Sequence, residues 1–187
     1  MIIQEFQSEC AALQFVADFL DCIDTPLHDN AVIFDIDDTI LASTTGQPNP
    51  TIALFWSMCG TLHLKRFIVT ARPDTELENG ERNLAVTVDD LHQNGIREWD
   101  GLFLMPMDEW ERCDGDASAY KHRVRKHIIK THNGGVPLLL TIGDQWSDLV
   151  LTTNLAGRKW EKLDTQGIHV GFFDDTAVLG IKLPRPE

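Results

Sequence analysis

The chain has 187 residues, a net charge of −13, 43% hydrophobic residues and 24% charged residues. That length and composition suit one globular domain with a buried core, and the acidic balance works against sequence-independent binding to nucleic-acid phosphates, which needs clustered Lys and Arg. No stretch approaches the roughly 20 apolar residues of a membrane span.

The N-terminus "MIIQEFQSECAALQ" lacks a basic start followed by an apolar run, so it does not read as a signal peptide and a cytoplasmic, reducing location is expected. Residues 9–23 place Ala12, Phe15, Val16, Phe19 and Leu20 at helical spacing. "AVIF" at 31–34 reads as a short buried strand. Residues 51–60 read as a helix that Gly60 stops, and "RFIVT" at 66–70 as a second strand. Residues 81–94 form a third helix, with Gly95 placed for a left-handed cap. "GLFLM" at 101–105 is the third strand and 117–132 a basic helix. "VPLLLTIG" at 136–143 is the fourth strand, "SDLVLTTNLAG" a short helix, and "GIHVGFF" at 167–173 the fifth strand. The tail "KLPRPE" at 182–187 reads as extended. Cys10, Cys22, Cys59 and Cys113 make no C-x-x-C pair and lack zinc-finger spacing, so they are expected as free, mostly buried thiols.

Short apolar strands alternating with helices predict a parallel sheet covered on both faces. Ligands of such sheets bind beyond the carboxyl ends of the strands, where the strand order reverses. Asp35, Asp37 and Asp38 follow the first strand, Thr70 ends the second, and Asp144 follows the fourth. Polar groups recur at one end of three strands.

Asp35 and Asp37 are two apart and can approach one ligand from the same side. Adjacent carboxylates are costly unless a cation lies between them or one holds a proton. Mg²⁺ would relieve that repulsion, since it takes a few carboxylates with waters and phosphate oxygens; an Asp-rich turn or helix start explains the stretch equally without a ligand. Asp144 and Asp148 are one helical turn apart, after a Gly143 that permits close backbone approach, and can also simply cap a helix. Thr70 can offer a hydroxyl to a phosphate oxygen. Lys121 can neutralise a phosphate or be one more solvated lysine of a basic helix. Arg72 can reach substrate or pair with a carboxylate.

The order of these pieces is the stronger signal. Asp35-Ile36-Asp37-Asp38-Thr39, then Thr70, then Lys121, then Gly143-Asp144-Gln145-Trp146-Ser147-Asp148 resembles the motif set of the haloacid dehalogenase (HAD) superfamily. "GDQWSDL", the segment "NLAVTVDDLHQNGIREWDGLFLM" and the ending "KLPRP" resemble the plant-type and bacterial acid phosphatases of subfamily IIIB, so the likeness runs from about residue 31 to the end.

The resemblance implies an α/β, Rossmann-like HAD fold: three layers, a mainly parallel five-stranded sheet and a minimal cap. It implies one domain over 1–187, with a short cap-position insertion at 40–60 and a loop near the site at 106–118. The implied activity is a Mg²⁺-dependent phosphomonoesterase with an aspartyl-phosphate intermediate. Asp35 would be the nucleophile and Asp37 the acid and base. Thr70 and Lys121 would hold phosphate. Asp35, Asp144, the main-chain carbonyl of Asp37, and Asp148 directly or through water, would hold Mg²⁺. Thr39 would orient the turn. Asp38 is given no role.

The expected partner is a phosphorylated small molecule or phosphoprotein, with nucleic acid disfavoured by the acidic surface. Phe55, Trp56, Trp110 and Trp146 are candidate walls for a flat substrate, or core residues. A nucleotidase or polynucleotide-end phosphatase on the same fold is the near alternative. A non-catalytic storage or binding protein is the distant one.

Overall fold

A computed structural model describes residues 3–22, 30–113, 116–131, 138–149, 166–172 and 178–184. In chain order the elements are β1 (Ile3–Phe6), α1 (Glu9–Asp21), β2 (Ala31–Phe34), α2 (Pro50–Thr61), β3 (Lys65–Asp74) and α3 (Asn83–Gln93). They continue with β4 (Gly101–Pro106), α4 (Met107–Arg112), α5 (Ser118–Thr131), β5 (Leu138–Gly143), a 3₁₀ turn at Trp146–Asp148, β6 (Ile168–Gly171) and β7 (Leu179–Lys182). Among the described residues no helix is long and apolar enough to cross a membrane.

The strands form one sheet of order β1-β6-β7-β5-β2-β3-β4. β7, β5, β2, β3 and β4 run parallel. β6 is antiparallel to both neighbours. Among the described residues the sheet thus has seven strands, where five are expected from the sequence. β1 was missed because "IQEF" buries neither of its middle residues. β7 was missed because its Gly180 and Lys182 break the apolar pattern, although all four of its residues are buried. The short helix expected at "SDLVLTTNLAG" lies mostly outside the described residues; what is described there is the 3₁₀ turn.

Period-two alternation in β2 builds the two faces. Val32 and Phe34 pack with Ala12, Val16 and Leu20 of α1, Ile52, Phe55 and Trp56 of α2, and Leu91 of α3. Ala31 and Ile33 pack on the other side with Met105 and with Tyr120, Val124 and Ile128 of α5. Helices therefore cover both faces, as a parallel sheet requires. On α1, Leu13 is buried and Phe15 is 39% exposed, lying 5.4 Å from the Phe6 ring of β1.

Gly60 does not end α2, which runs on to Thr61. Its bare Cα instead admits Arg66, whose Nη1 would sit 2.7 Å from a Cβ there. Gly95 does take the left-handed conformation, at φ 79°. All four cysteines are free, but Cys10 and Cys22 are exposed and only Cys59 is fully buried.

The topology has one switch point that matters. From β2 the chain adds β3 and β4 on one side, then crosses back to lay β5 on the other. The loops after β2 and β5 leave in opposite directions there and open a crevice at the carboxyl ends.

Candidate active site

Asp35 prolongs β2 by one rung, its N–H donating to the Ile142 carbonyl of β5 at 3.0 Å. That bond sets Asp35 beside the Gly143-Asp144 turn. The backbone then coils tightly, with the Ile36 carbonyl accepting from Thr39 (3.1 Å), Ile40 (2.8 Å) and Leu41 (2.9 Å). Asp38 makes the turn possible. It has φ 58°, a left-handed conformation that Asp tolerates better than most residues. Its N–H donates to Leu41 O at 2.7 Å, and its carboxylate accepts from Ser43 N–H at 2.9 Å. The third of the acids that follow β2 is thus a turn-former. Thr39 is buried beside it.

On the other side of the crevice, Asp148 folds back on its own turn, its Oδ2 accepting from Gln145 N–H at 3.0 Å. Gly143 leaves room for this. A Cβ there would lie 2.5 Å from Asp148 Cγ and closer still to its Cβ. Gly143→Ala should therefore displace Asp148 and cost about 1–3 kcal/mol, read as a lower urea midpoint at unchanged slope.

α5 supplies the positive charge. Lys121 and Arg125, one turn apart, are both 1% exposed. Tyr120, whose hydroxyl donates to Leu104 O at 2.6 Å, ties this turn of α5 to β4. Lys121 Nζ lies 2.6 Å from Asp148 Oδ1 and 2.9 Å from Asp35 Oδ1. Arg125 donates to the Ser147 carbonyl, holding the 3₁₀ turn against the helix.

Ligand oxygens of Asp35, Asp144 and Asp148 all lie within 4.8 Å of one another, and all three residues are buried. Burial pushes the Asp35 carboxyl up to about 8; Lys121 opposes this, and Asp148 and Asp144 add to it. The Lys121 ammonium is held above its ordinary range, because the charges of Asp148 and Asp35 outweigh the burial that works against it. Three buried carboxyl groups share one ammonium in a dry site, so their full ionisation would leave an excess of two negative charges. An all-oxygen set with that excess fits a hard divalent cation.

Asp37 stands apart from this cluster. Its carboxylate is gripped by Arg72, from Nε at 3.2 and 3.1 Å and from Nη2 at 2.8 Å. Arg72 in turn gives Nη1 to Asp90 at 3.1 Å and to Thr87 at 3.4 Å. Burial works against the guanidinium's charge, but the bonds and charges of Asp37 and Asp90 outweigh it and raise its pKa. β3 does not stop at Thr70 as expected. It runs on to Asp74 with an irregular register between Val69 and Pro73, and such a bulge re-aims side chains. Thr70 is fully buried there and accepts the Arg72 N–H at 3.2 Å.

The expected aromatic walls do not form as a group. Phe55 and Trp56 are 3% and 2% exposed and belong to the core under β2. Trp146 packs on His169 and on the Lys182 ammonium. Trp110 is part-exposed on α4, a helix inside the 106–118 stretch expected as a loop. A cavity of about 460 Å³ beside the Asp35–Thr39 turn is lined by Asp38, Thr39, Gln47, Asn49 and Pro184, with no aromatic face.

Residues 47–164 match the family model described as HAD superfamily, subfamily IIIB (acid phosphatase). The chain belongs to this family. It is a HAD-type phosphatase, and the mostly parallel sheet with helices on both faces is the fold of such an enzyme. HAD phosphatases generally use a divalent metal, and the buried acid cluster is a place for one. The match begins after the first motif, and geometry alone brings Asp35 to Lys121, Asp144 and Asp148, while Asp37 and Thr70 both contact Arg72 instead. The chain finds no significant match among curated proteins.

The clamp on Asp37 was only half legible in the sequence. Arg72 had two possible uses, and the structure shows it paired with a carboxylate. Asp90 and Thr87 carried no motif; a fully buried Thr on the largely polar helix α3 is the signal that points to them.

Proposed function

We propose that this chain is a Mg²⁺-dependent phosphomonoesterase that hydrolyses small phosphate monoesters through a phospho-aspartate at Asp35. The observation that carries the reading is the contact of buried Asp35 with Lys121, with Asp144 and Asp148 in the same cluster, at the switch point of a subfamily IIIB fold. A fold held for storage alone would be better served by apolar residues, since a buried charge cluster costs stability.

In this reading an Asp35 oxygen attacks phosphorus as the bond to the leaving oxygen breaks. Asp37 delivers a proton to that oxygen, and the alcohol departs. The Asp37 carboxylate then takes a proton from water, the hydroxide attacks phosphorus, and inorganic phosphate leaves with Asp35 restored. Thr70 offers its hydroxyl proton to a phosphate oxygen, and Lys121 offers charge to the phosphoryl group and to Asp35. Asp35, Asp144, Asp148 and the Asp37 carbonyl would hold Mg²⁺, whose charge would keep Asp35 ionised and stabilise the transferring oxygens. The same reading takes 1–187 as one domain, with α2 as a core helix in the cap-position segment and no large cap among the described residues.

p-Nitrophenyl phosphate should be turned over in Mg²⁺ and not in EDTA. A broad phosphoester panel, including nucleotides and 3′-phosphorylated oligonucleotides, should favour small monoesters. No turnover of any ester, with no Mg²⁺ binding by calorimetry, would return the storage alternative.

The Asp35 shift gives a pH prediction. In the metal-free fold this carboxyl binds its proton up to about pH 8, against 3.8 for its ordinary value. The folded state therefore holds more protons across that window. The contribution of this group to stability is full below about pH 4 and is lost as pH rises through 8. Mg²⁺ needs the ionised form, so its binding should release protons and tighten with pH up to about 8. Calorimetry at pH 6.5 in two buffers of different ionisation enthalpy should show release of about one proton per ion; identical heats in the two buffers would contradict it.

A further inference from the structure

Arg72 spends its guanidinium on two acids at once. Nε and Nη2 close on Asp37, while Nη1 closes on Asp90 and Thr87 of α3. The Arg72 side chain is 20% exposed and the Asp37 side chain 38%, so this pair is at the mouth of the site rather than in its dry interior. A bidentate fork fixes the plane of a carboxylate as well as its position. A second acid on the opposite nitrogen fixes the fork.

We propose that Arg72 and Asp90 are positioning residues for Asp37. Asp90 sets the guanidinium, and the guanidinium holds the Asp37 carboxylate in the orientation that accepts a proton from the attacking water. Helix α3 thereby belongs to the working site although it carries no group that touches substrate. The proposal rests on the phosphatase reading, with Asp37 as the base of the second half-reaction.

A carboxyl group aimed at the attacking water is what that half-reaction needs, and the Arg72 fork fixes that aim. It is a different requirement from phosphoryl transfer to Asp35, which with p-nitrophenyl phosphate has a leaving group that departs without a proton. The two half-reactions are separately readable. kcat/KM reports steps up to phosphoryl transfer, and decay of the phosphorylated enzyme after an unlabelled chase reports the water step.

Asp90→Ala is the informative variant. Asp90 is 44% exposed on its side chain, lies in the last turn of α3, and is replaced there by the best helix former, so the fold is not at risk. Arg72→Lys, which keeps charge but loses the fork, is the second variant. With p-nitrophenyl phosphate and Mg²⁺, both should slow phosphoenzyme decay by about tenfold, a fraction of what a positioned base contributes. kcat and KM should fall together, with kcat/KM held within about twofold. In an Asp37→Asn background, Asp90→Ala should have no further effect on decay, because residues acting as one unit are not additive. Additive losses, an equal fall in kcat/KM, or unchanged decay in Asp90→Ala overturns the proposal while leaving the phosphatase reading intact. Wild-type enzyme that turns over no ester overturns both.

Discussion

Asp35→Asn lowers kcat on every phosphate ester by at least about 10⁴-fold, because a displaced nucleophile is not replaced by its neighbours. Two of the acids around it are already engaged. Asp148 is tied to Lys121 at 2.6 Å and to the Gln145 N–H at 3.0 Å, and Asp37 is in the grip of Arg72. The variant should nevertheless fold. Asn has the same shape, Lys121 keeps its closer partner Asp148, and the desolvation that pushes the Asp35 carboxyl up to about 8 has no charge left to act on. Thermal unfolding without metal should give a midpoint equal to or above wild type, alongside the lost activity. An inactive variant with a collapsed midpoint would instead mean that Asp35 serves the fold.

Lys121→Met has the opposite signature, with a large effect on stability first. The ammonium is 1% exposed and is the cation placed between Asp35 and Asp148. Breaking a buried pair by removing one partner costs about 3–5 kcal/mol. For a chain of this size that lowers the melting midpoint by on the order of 10 °C. Part of the cost is relieved when the carboxylates take up protons, so the loss should be larger at pH 8 than at pH 6. Mg²⁺ should recover more stability in the variant than in wild type, since it would then replace the charge that Lys121 sets against Asp35 and Asp148, while activity stays low for want of the phosphate contact. A midpoint unchanged at both pH values would mean that the lysine is a bystander.

These two variants act on the part of the molecule that was most legible in the sequence. An apolar strand followed by an acid, repeated at β2 and β5, places both acids at one end of a parallel sheet, and the backbone bond from Asp35 to Ile142 follows from that adjacency. Lys121 was legible only through its place in the motif order, because on a basic helix the pattern of charge alone does not say which lysine turns inward. Its inward turn comes from α5 laying Tyr120, Val124 and Ile128 on the sheet, which carries Lys121 and Arg125 into the crevice.

What stayed hidden has local causes. Six residues of α4 make under two turns, too few for a helical period to emerge. Lys182 marks the end of β7 as polar, yet it is buried because its ammonium finds the Leu183 carbonyl and the Trp146 ring. The Asp37–Arg72–Asp90 chain depends on a bulge in β3 that a run of "RFIVTARPD" does not announce. Asp38, the acid without a role in the motif, is explained by one dihedral and two hydrogen bonds of its turn.

A covalent phosphate at Asp35 is the step on which the proposed chemistry depends. Enzyme mixed with a ³²P-labelled monoester and Mg²⁺, quenched in acid within the first turnover, digested and mapped by mass spectrometry, tests it most directly. The expected result is label on the peptide that holds Asp35, at that residue, absent in EDTA and absent in Asp35→Asn. Label on any other residue, or full turnover with no labelled enzyme in wild type and in Asp90→Ala alike, would contradict it.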